Sequence, residues 1–323
     1  SGRGLGHTGG TVDKYAAIPG LKVELSQAEF KESLRRTGFA NSAQTGDICP
    51  ADRKLYALRD LTATVESTPL TTARIMSKKL AGGADALVLD VKCGGGAFMK
   101  TFEDARALAC SMVEVGKAHG LRIKALITRM EEPLGWAIGN SLEVIESVEI
   151  LKGMHGDGDL ARMSFRLAAE MLLLGGAASD LAQAEARVAR SVADGTAMAA
   201  YRAFVAQNGG NPQALDDFSL LPQATRHVKV PAPRSGYVHA IDSRALGILA
   251  MELGAGRKSK DDVLDLGVGI RVHIRRGQRV EAGEPMVTLH ASGRALPSLP
   301  EGAIALEADP PAGEAPWLLG EVG

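Results

Sequence analysis

The sequence predicts an α/β protein, a mixed sheet flanked by helices and followed by a smaller β-rich C-terminal domain. Three observations carry that expectation. Residues 85–128 read as strand, helix, strand; residues 159–207 read as a run of Ala-rich helices; and from about Val228 short β-like runs separated by Gly-containing turns take over. The chain has 323 residues, 45% of them apolar, which is ample for a sizeable core. Aromatics are only 4% against 38 glycines, so small side chains must do most of the packing.

In chain order, Ser26-Gln-Ala-Glu29 is a capping box that opens a helix; Phe30 and Leu34 share one of its faces and Gly38 stops it. A second helix begins at Thr68 with Pro69 in its first turn, where a missing N–H is harmless, and runs to about Ala81. Residues 85–91 form a short buried strand rich in Val and Leu, 94–96 a glycine loop, 101–120 a helix and 121–128 the next strand. That βαβ unit requires parallel pairing. Ser179 and Gly195 punctuate the helices of 159–207, and Asn208-Gly-Gly-Asn-Pro212 closes them. Further strands are expected at 236–241, 268–274 and 285–290. The stretch 277–284 (GQRVEAGE) is similar to half of a lipoyl-carrier hairpin; without a lysine at its turn it reads as a structural hairpin. The tail from Pro297 holds five prolines and five acidic residues with no Lys or Arg, so part of it should be irregular.

Composition narrows the function. With 37 basic against 38 acidic residues, the chain lacks the excess of cations that a nucleic acid or an acidic membrane attracts. Cys49, Cys93 and Cys110 are odd in number with no CxxC spacing, which points to a reducing, cytoplasmic setting rather than a disulfide framework or a Cys-rich zinc site. No apolar run approaches the roughly 18 residues of a membrane span. The seven histidines show no HxH, HExxH or HxxxH spacing, so no catalytic metal is expected. GxSxG is absent, and Cys93, after a strand and without a partner base, reads as a small packing residue.

Two segments carry chemistry. The chain opens on Ser1-Gly-Arg-Gly-Leu-Gly-His-Thr-Gly-Gly-Thr11 with no strand or helix ahead of it, and so reads as a piece of a longer protein. Gly4 to Gly9 matches GxGxxG, but the preceding strand and the acidic residue roughly 20 positions on are missing, which sets a nicotinamide-dependent oxidoreductase far down the order of readings. Glycines flanked by Ser1, Thr8 and Thr11 can turn N–H groups and hydroxyls toward an anion, or can simply turn the chain. On the second segment, Thr71, Arg74 and Lys78 share one helix face. Like charges at i, i+4 repel unless something polar lies between them, so this face is either solvated or aimed at a ligand.

Residues 1–14 resemble the signature of the thymidine and pyrimidine-nucleoside phosphorylases. The resemblance continues through 51–65 (ADRKLYALRDLTATV), Ser77-Lys-Lys79, Asp90 to Met99, Pro133-Leu-Gly135 with Gly139-Asn140, and Leu253-Gly-Ala-Gly-Arg257. It covers nearly all of the chain before the last stretch of the tail, while the family's N-terminal portion has no counterpart. The resemblance implies a nucleoside phosphorylase fold. A phosphate-binding α/β domain would comprise 1–50 and 82–227, with 51–81 in a helical subdomain, a C-terminal α+β domain at 228–300 and a tail at 301–323. The substrate cleft would lie between the first two, and the parent protein would be a homodimer.

The implied reaction is reversible phosphorolysis of a pyrimidine nucleoside, chiefly thymidine, with inorganic phosphate as co-substrate and no organic cofactor. By the same resemblance Ser1 and Thr11 contact phosphate. Arg59 and Lys78 hold the base carbonyls as catalytic cations, and Leu5, Val65 and Phe98 line the apolar side of the base pocket. Leu134 and Ala137, through their carbonyls, and the Glu146 carboxylate would hold a structural potassium ion. Arg74 stands where the family has a base-contacting serine, and Thr71 replaces an aliphatic residue, which keeps open a related phosphorylase of nucleoside monophosphates. The family's lysine, histidine and serine motif belongs to the portion without a counterpart. That implies an incomplete active site in this chain alone, and leaves a catalytically inactive binding homologue as a further alternative.

Overall fold

The structure, a computed structural model, describes residues 1–4, 7–43, 68–259, 262–313 and 316–323. It is a mixed α/β protein whose described residues fall into two compact units. The first comprises 1–43, 131–158 and 192–313; the second lies within 44–130, 159–191 and 315–323. Both are assembled from segments far apart in sequence.

The second unit is built on the predicted βαβ unit. Strands β1 (Ala86–Cys93) and β2 (Arg122–Arg129) pair in parallel, Ala86 opposite Arg122 through Cys93 opposite Arg129. Helix α4 (Phe102–Ala118) crosses between them, capped by the Thr101 side chain, which accepts the Asp104 N–H. With α3 (Thr68–Ala81) it covers one sheet face, where Met76, Leu108 and Met112 meet Leu89, Val91, Ile123 and Ile127. Gly116 permits this approach, since a Cβ there would lie 2.7 Å from the Ile123 side chain. Cys93 is buried in this core, as a packing residue should be.

The other sheet face is polar. Asp90, Lys92, Lys124 and Thr128 alternate away from the core and meet α6 (Asp159–Leu174). Lys92 lies 2.5 Å from Asp90 Oδ2 and donates to Thr128 Oγ1 at 3.0 Å; burial pushes its ammonium below the usual lysine range, partly offset by Asp90. Glu170, fully buried, pairs with Lys124 and Arg166 at 2.8 Å each, and both cations also reach Glu321. Glu321 belongs to β10 (Leu318–Val322), which adds to β2 antiparallel, so the end of the tail completes this sheet. The tail's prolines fall outside β9 (Ile304–Glu307) and β10, the stretches where ladder N–H groups are needed. Helix α7 (Leu181–Ala193) packs Ala184 and Val188 on Ala169 of α6.

In the first unit, α1 (Thr11–Ala16), α5 (Asn140–Leu151) and α8 (Thr196–Gln207) share a core of Ile18, Val144, Val148, Met198, Phe204 and Leu215. Helix α2 (Gln27–Thr37) has the predicted capping box and a left-handed Gly38 cap. Its Phe30 and Leu34 remain 37% and 50% exposed. The face it buries carries Ser33, which donates to Phe39 O and accepts from Asn208 Nδ2, so polar contacts seat this helix. Two sheets, β3-β6-β8-β4 and β7-β5-β9, enclose the larger core with α9 (Ser243–Leu253). Their strands are β3 (Ala137–Gly139), β4 (Arg226–Pro231), β5 (Gly236–Ile241), β6 (Gly269–Val272), β7 (Arg279–Val280) and β8 (Pro285–Ala291). The hairpin expected at 277–284 does not form. Gly277 and Gly283, both at positive φ, turn the chain sharply, so β7 pairs with β5 while β8 crosses to the other sheet.

The buried charge network gives a stability prediction. Lys124→Met leaves the fully buried Glu170 with only Arg166 and is expected to cost about 2–3 kcal/mol in urea unfolding, most of it recovered when Glu170 is also changed to Met. A loss within about 0.5 kcal/mol for the single change would show that the network contributes nothing, as for exposed pairs.

Candidate active site

The glycine segment is held from several sides, starting with helix α1. Val12 is buried, and the Tyr15 ring meets Phe204 of α8 with centroids 5.7 Å apart, which fixes α1 against the first unit's core. Asp13 in the same helix is 4% exposed, and its Oδ2 accepts the Gly4 N–H at 2.7 Å and the Arg257 guanidinium at 2.9 Å. Lys14, next in sequence, pairs with Glu143 of α5, whose Oε1 also accepts the Gly139 N–H at 3.2 Å.

Two glycines, one in this segment and one on α9, are required by contact. A Cβ on Gly10 would overlap the Gly4 amide nitrogen, so the two arms of the loop touch backbone to backbone. On α9, a Cβ at Gly247 would lie 2.5 Å from the His7 carbonyl oxygen, so that helix backs the loop directly. Gly2 O accepts the Val12 N–H at 3.3 Å, which brings the neighbours of Ser1 and Thr11 together; both residues are exposed. The result is a braced turn with two hydroxyl-bearing residues on its open side. Leu5 lies outside the described residues. Behind the loop, a cavity of about 30 Å³ lined by His7, Thr8, Asn140 and Met251 has room for little more than a water molecule. A larger groove of about 690 Å³ lies elsewhere, between α2 and residues 207–209, and in its charged lining Lys22 is paired with Glu29.

In the second unit, α3 turns Thr72 and Met76 inward, with Thr72 Oγ1 donating to Ser111 Oγ of α4 at 3.1 Å. That orientation leaves Thr71, Arg74 and Lys78 half-buried on another face, as their spacing predicts. Phe98, in the loop after β1, is 72% exposed, so the structure does not enclose it in an apolar wall. The glycines of that loop serve its own fold: Gly94 N–H bonds Met99 O and Gly96 N–H bonds Met130 O, at 2.9 and 2.8 Å. Arg59 and Val65 lie outside the described residues.

Glu146, buried to 4% exposure, accepts N–H groups from Trp136 at 2.5 Å and Ala137 at 3.1 Å. Gly135 is required here, because a Cβ would overlap the carboxylate. Burial pushes Glu146 above the usual carboxylate range, the two N–H groups oppose that, and Glu143 adds to it. The Arg275 guanidinium also acts on Glu146 and favours its charged form. Leu134, Ala137 and Glu146 are thus brought into one neighbourhood. Among the described residues no three His, Cys, Asp or Glu side chains are grouped to hold a metal.

Asp13, Lys14 and Arg257 fall within the segments that carry the resemblance, but no local pattern gives them a task, and Glu143 falls in none of those segments. Arg257 stands 244 positions from Asp13, a separation that no local pattern reports.

The mixed α/β framework and its braced glycine loop match families of group-transfer enzymes. Residues 1–198 match the family described as glycosyl transferase family, a/b domain, and residues 237–305 match the pyrimidine nucleoside phosphorylase C-terminal domain. The chain is 49% identical over 292 residues to the pyrimidine-nucleoside phosphorylase of Bacillus subtilis (strain 168), covering 90% of this chain and 67% of that protein. Over the same lengths it is 46% identical to the pyrimidine-nucleoside phosphorylases of Geobacillus stearothermophilus and Staphylococcus aureus (strain USA300). The chain belongs to the pyrimidine-nucleoside phosphorylase family and spans about two thirds of the length of these relatives.

The contact between Gly4 and Gly10 makes a direct prediction. Gly10→Ala should raise amide hydrogen exchange across residues 2–13, while Gly2→Ala, whose Cβ meets nothing within 4 Å, should leave it unchanged. Equal exchange in both variants would show that the loop does not depend on this packing.

Proposed function

We propose that this chain forms the greater part of an enzyme for reversible phosphorolysis of pyrimidine nucleosides, chiefly thymidine plus phosphate to thymine plus 2-deoxyribose 1-phosphate, in nucleoside salvage. The braced glycine loop with Ser1 and Thr11 on its open side is the observation that carries this reading. A phosphate held there attacks the anomeric carbon as the bond from that carbon to the base nitrogen breaks. The bonding electrons leave with the base, build up on its ring oxygens, and are quenched by a proton. Arg59 and Lys78 stabilise that charge at the base carbonyls, and holding phosphate in line supplies much of the rate. Leu5, Val65 and Phe98 contact the apolar side of the base.

Arg74 carries the alternative. A half-buried guanidinium one turn from Lys78 suits an additional phosphate, and so favours a nucleoside monophosphate as substrate. We assign the enzyme to the cytoplasm and to a homodimer. No helix among the described residues is long and apolar enough to cross a membrane.

The protein as its gene encodes it should release thymine from thymidine only when inorganic phosphate is present. Arg74→Ser should shift its preference between thymidine and thymidine monophosphate by about tenfold. No base release from thymidine, uridine or their monophosphates by folded protein would overturn the enzyme reading and leave the binding-homologue alternative.

Potassium is the second proposal. Two carbonyl oxygens at Leu134 and Ala137 with the buried Glu146 carboxylate are a hard-oxygen donor set, which suits a cation of this kind. Replacing sodium by potassium should raise the thermal midpoint of wild type and leave Glu146→Gln unmoved; an equal shift in both would exclude this site.

A further inference from the structure

We infer that Arg257 is a positioning residue for the phosphate loop, acting through Asp13 on the Gly4 amide. This rests on the phosphorolysis reading and adds a residue that touches neither phosphate nor base.

The geometry is a relay through one oxygen. Asp13 Oδ2 accepts both the Gly4 N–H at 2.7 Å and Arg257 Nη1 at 2.9 Å, with the side chains of Asp13 and Arg257 only 6% and 16% exposed. Gly4 in turn lies backbone to backbone against Gly10, the residue that caps α1 just before Thr11. A shift of the Asp13 carboxylate therefore moves the Gly4 amide, and Gly10 has no room to let Gly4 move alone. Arg257 is itself placed by the fold: it follows α9 closely, beyond the left-handed Gly254 at φ 115°, and Asp265 N–H ties Gly254 O at 3.0 Å. The helix that backs the loop through Gly247 thus also delivers the guanidinium.

Charge gives the arrangement its purpose. A carboxylate is a poor neighbour for a loop that must receive a phosphate, because two anions repel strongly where water is scarce. Asp13 is nevertheless the group that holds Gly4 in place. Arg257 resolves the conflict by neutralising Asp13 where it stands, its Nη1 reaching Oδ2 from a planar head whose donor directions are fixed as a lysine's are not. Lys14 does the corresponding task for Glu143 on the neighbouring side. Asp13 and Glu143 are therefore each matched by a cation, as is Glu24 by Arg3 of the loop itself.

Titration of the protein as its gene encodes it with inorganic phosphate by calorimetry tests this, with amide hydrogen exchange as a second readout. Arg257→Met should weaken phosphate binding about tenfold, the scale of a lost charge-assisted hydrogen bond, and Arg257→Lys should fall between it and wild type. In Arg257→Met the Gly4 amide should exchange faster while the amides of β6 and β8 keep their protection; a merely structural role would lower protection in both. Because Arg257 works through Asp13, adding Asp13→Asn to Arg257→Met should weaken binding no further. Phosphate binding by Arg257→Met equal to wild type overturns the inference while leaving the phosphorolysis reading intact. Absence of phosphate binding in wild type overturns both. If Arg257→Met does not fold, Arg257→Lys decides: binding and Gly4 exchange identical to wild type would overturn the positioning role.

Discussion

A carboxylate withdrawn from water must find its hydrogen bonds and its counter-charge where it stands, and Asp13 meets that constraint by joining three remote pieces of chain. It lies in a six-residue helix, holds the amide of Gly4 nine positions before it, and is matched by Arg257 from beyond α9. The glycine loop is consequently not a free turn. Its conformation depends on α1 being pinned by Tyr15 and Phe204, on α9 lying against it through Gly247, and on Gly10 having no side chain. Small residues here let backbones touch.

The same logic appears in the second unit, where a sheet is covered by apolar helices on one face and by a charged seam on the other. The seam works because every one of its charged groups has an opposite partner: Lys92 with Asp90, and Lys124 and Arg166 with Glu170 and Glu321. Glu321 comes from the last strand of the chain, so the end of the sequence is bound to the middle by charge as well as by backbone pairing. Such a seam discriminates between arrangements, because a displaced strand would strand a buried charge.

Membership of the pyrimidine-nucleoside phosphorylase family gives these features a shared context. The loop, the basic face of α3 and the neighbourhood of Glu146 are each formed within a single unit. Each is oriented by groups of its own unit: Asp13 for the loop, Thr72 and Ser111 for α3, Gly135 for Glu146. In the proposed reading Arg74 is the residue that bears on substrate choice, since a guanidinium offers a fixed fork of donors where a serine would offer one hydroxyl.

Much of this was legible in the sequence because it rests on local rules. The capping box at Ser26, the helix from Thr68 to Ala81, the parallel pair around α4 and the shared face of Arg74 and Lys78 all follow from propensities and periods that act within a few residues. The glycine loop was recognisable as special for the same reason. Other features escaped because their causes lie far away in sequence. Helix α9 had local marks, an Asp242 cap and a left-handed Gly254, but its position behind the loop comes from contact with His7. The exposure of Phe30 and Leu34 reflects what α2 packs against, and the crossing of 277–284 between two sheets was set by which strands lay free to accept it. Sequence by itself determined which elements form and which side chains share a face, because those depend on neighbours along the chain. Tertiary structure alone decided that Arg257 meets Asp13 and that Glu321 meets Lys124, because a buried charge is matched by whatever the fold brings to it, however distant in sequence.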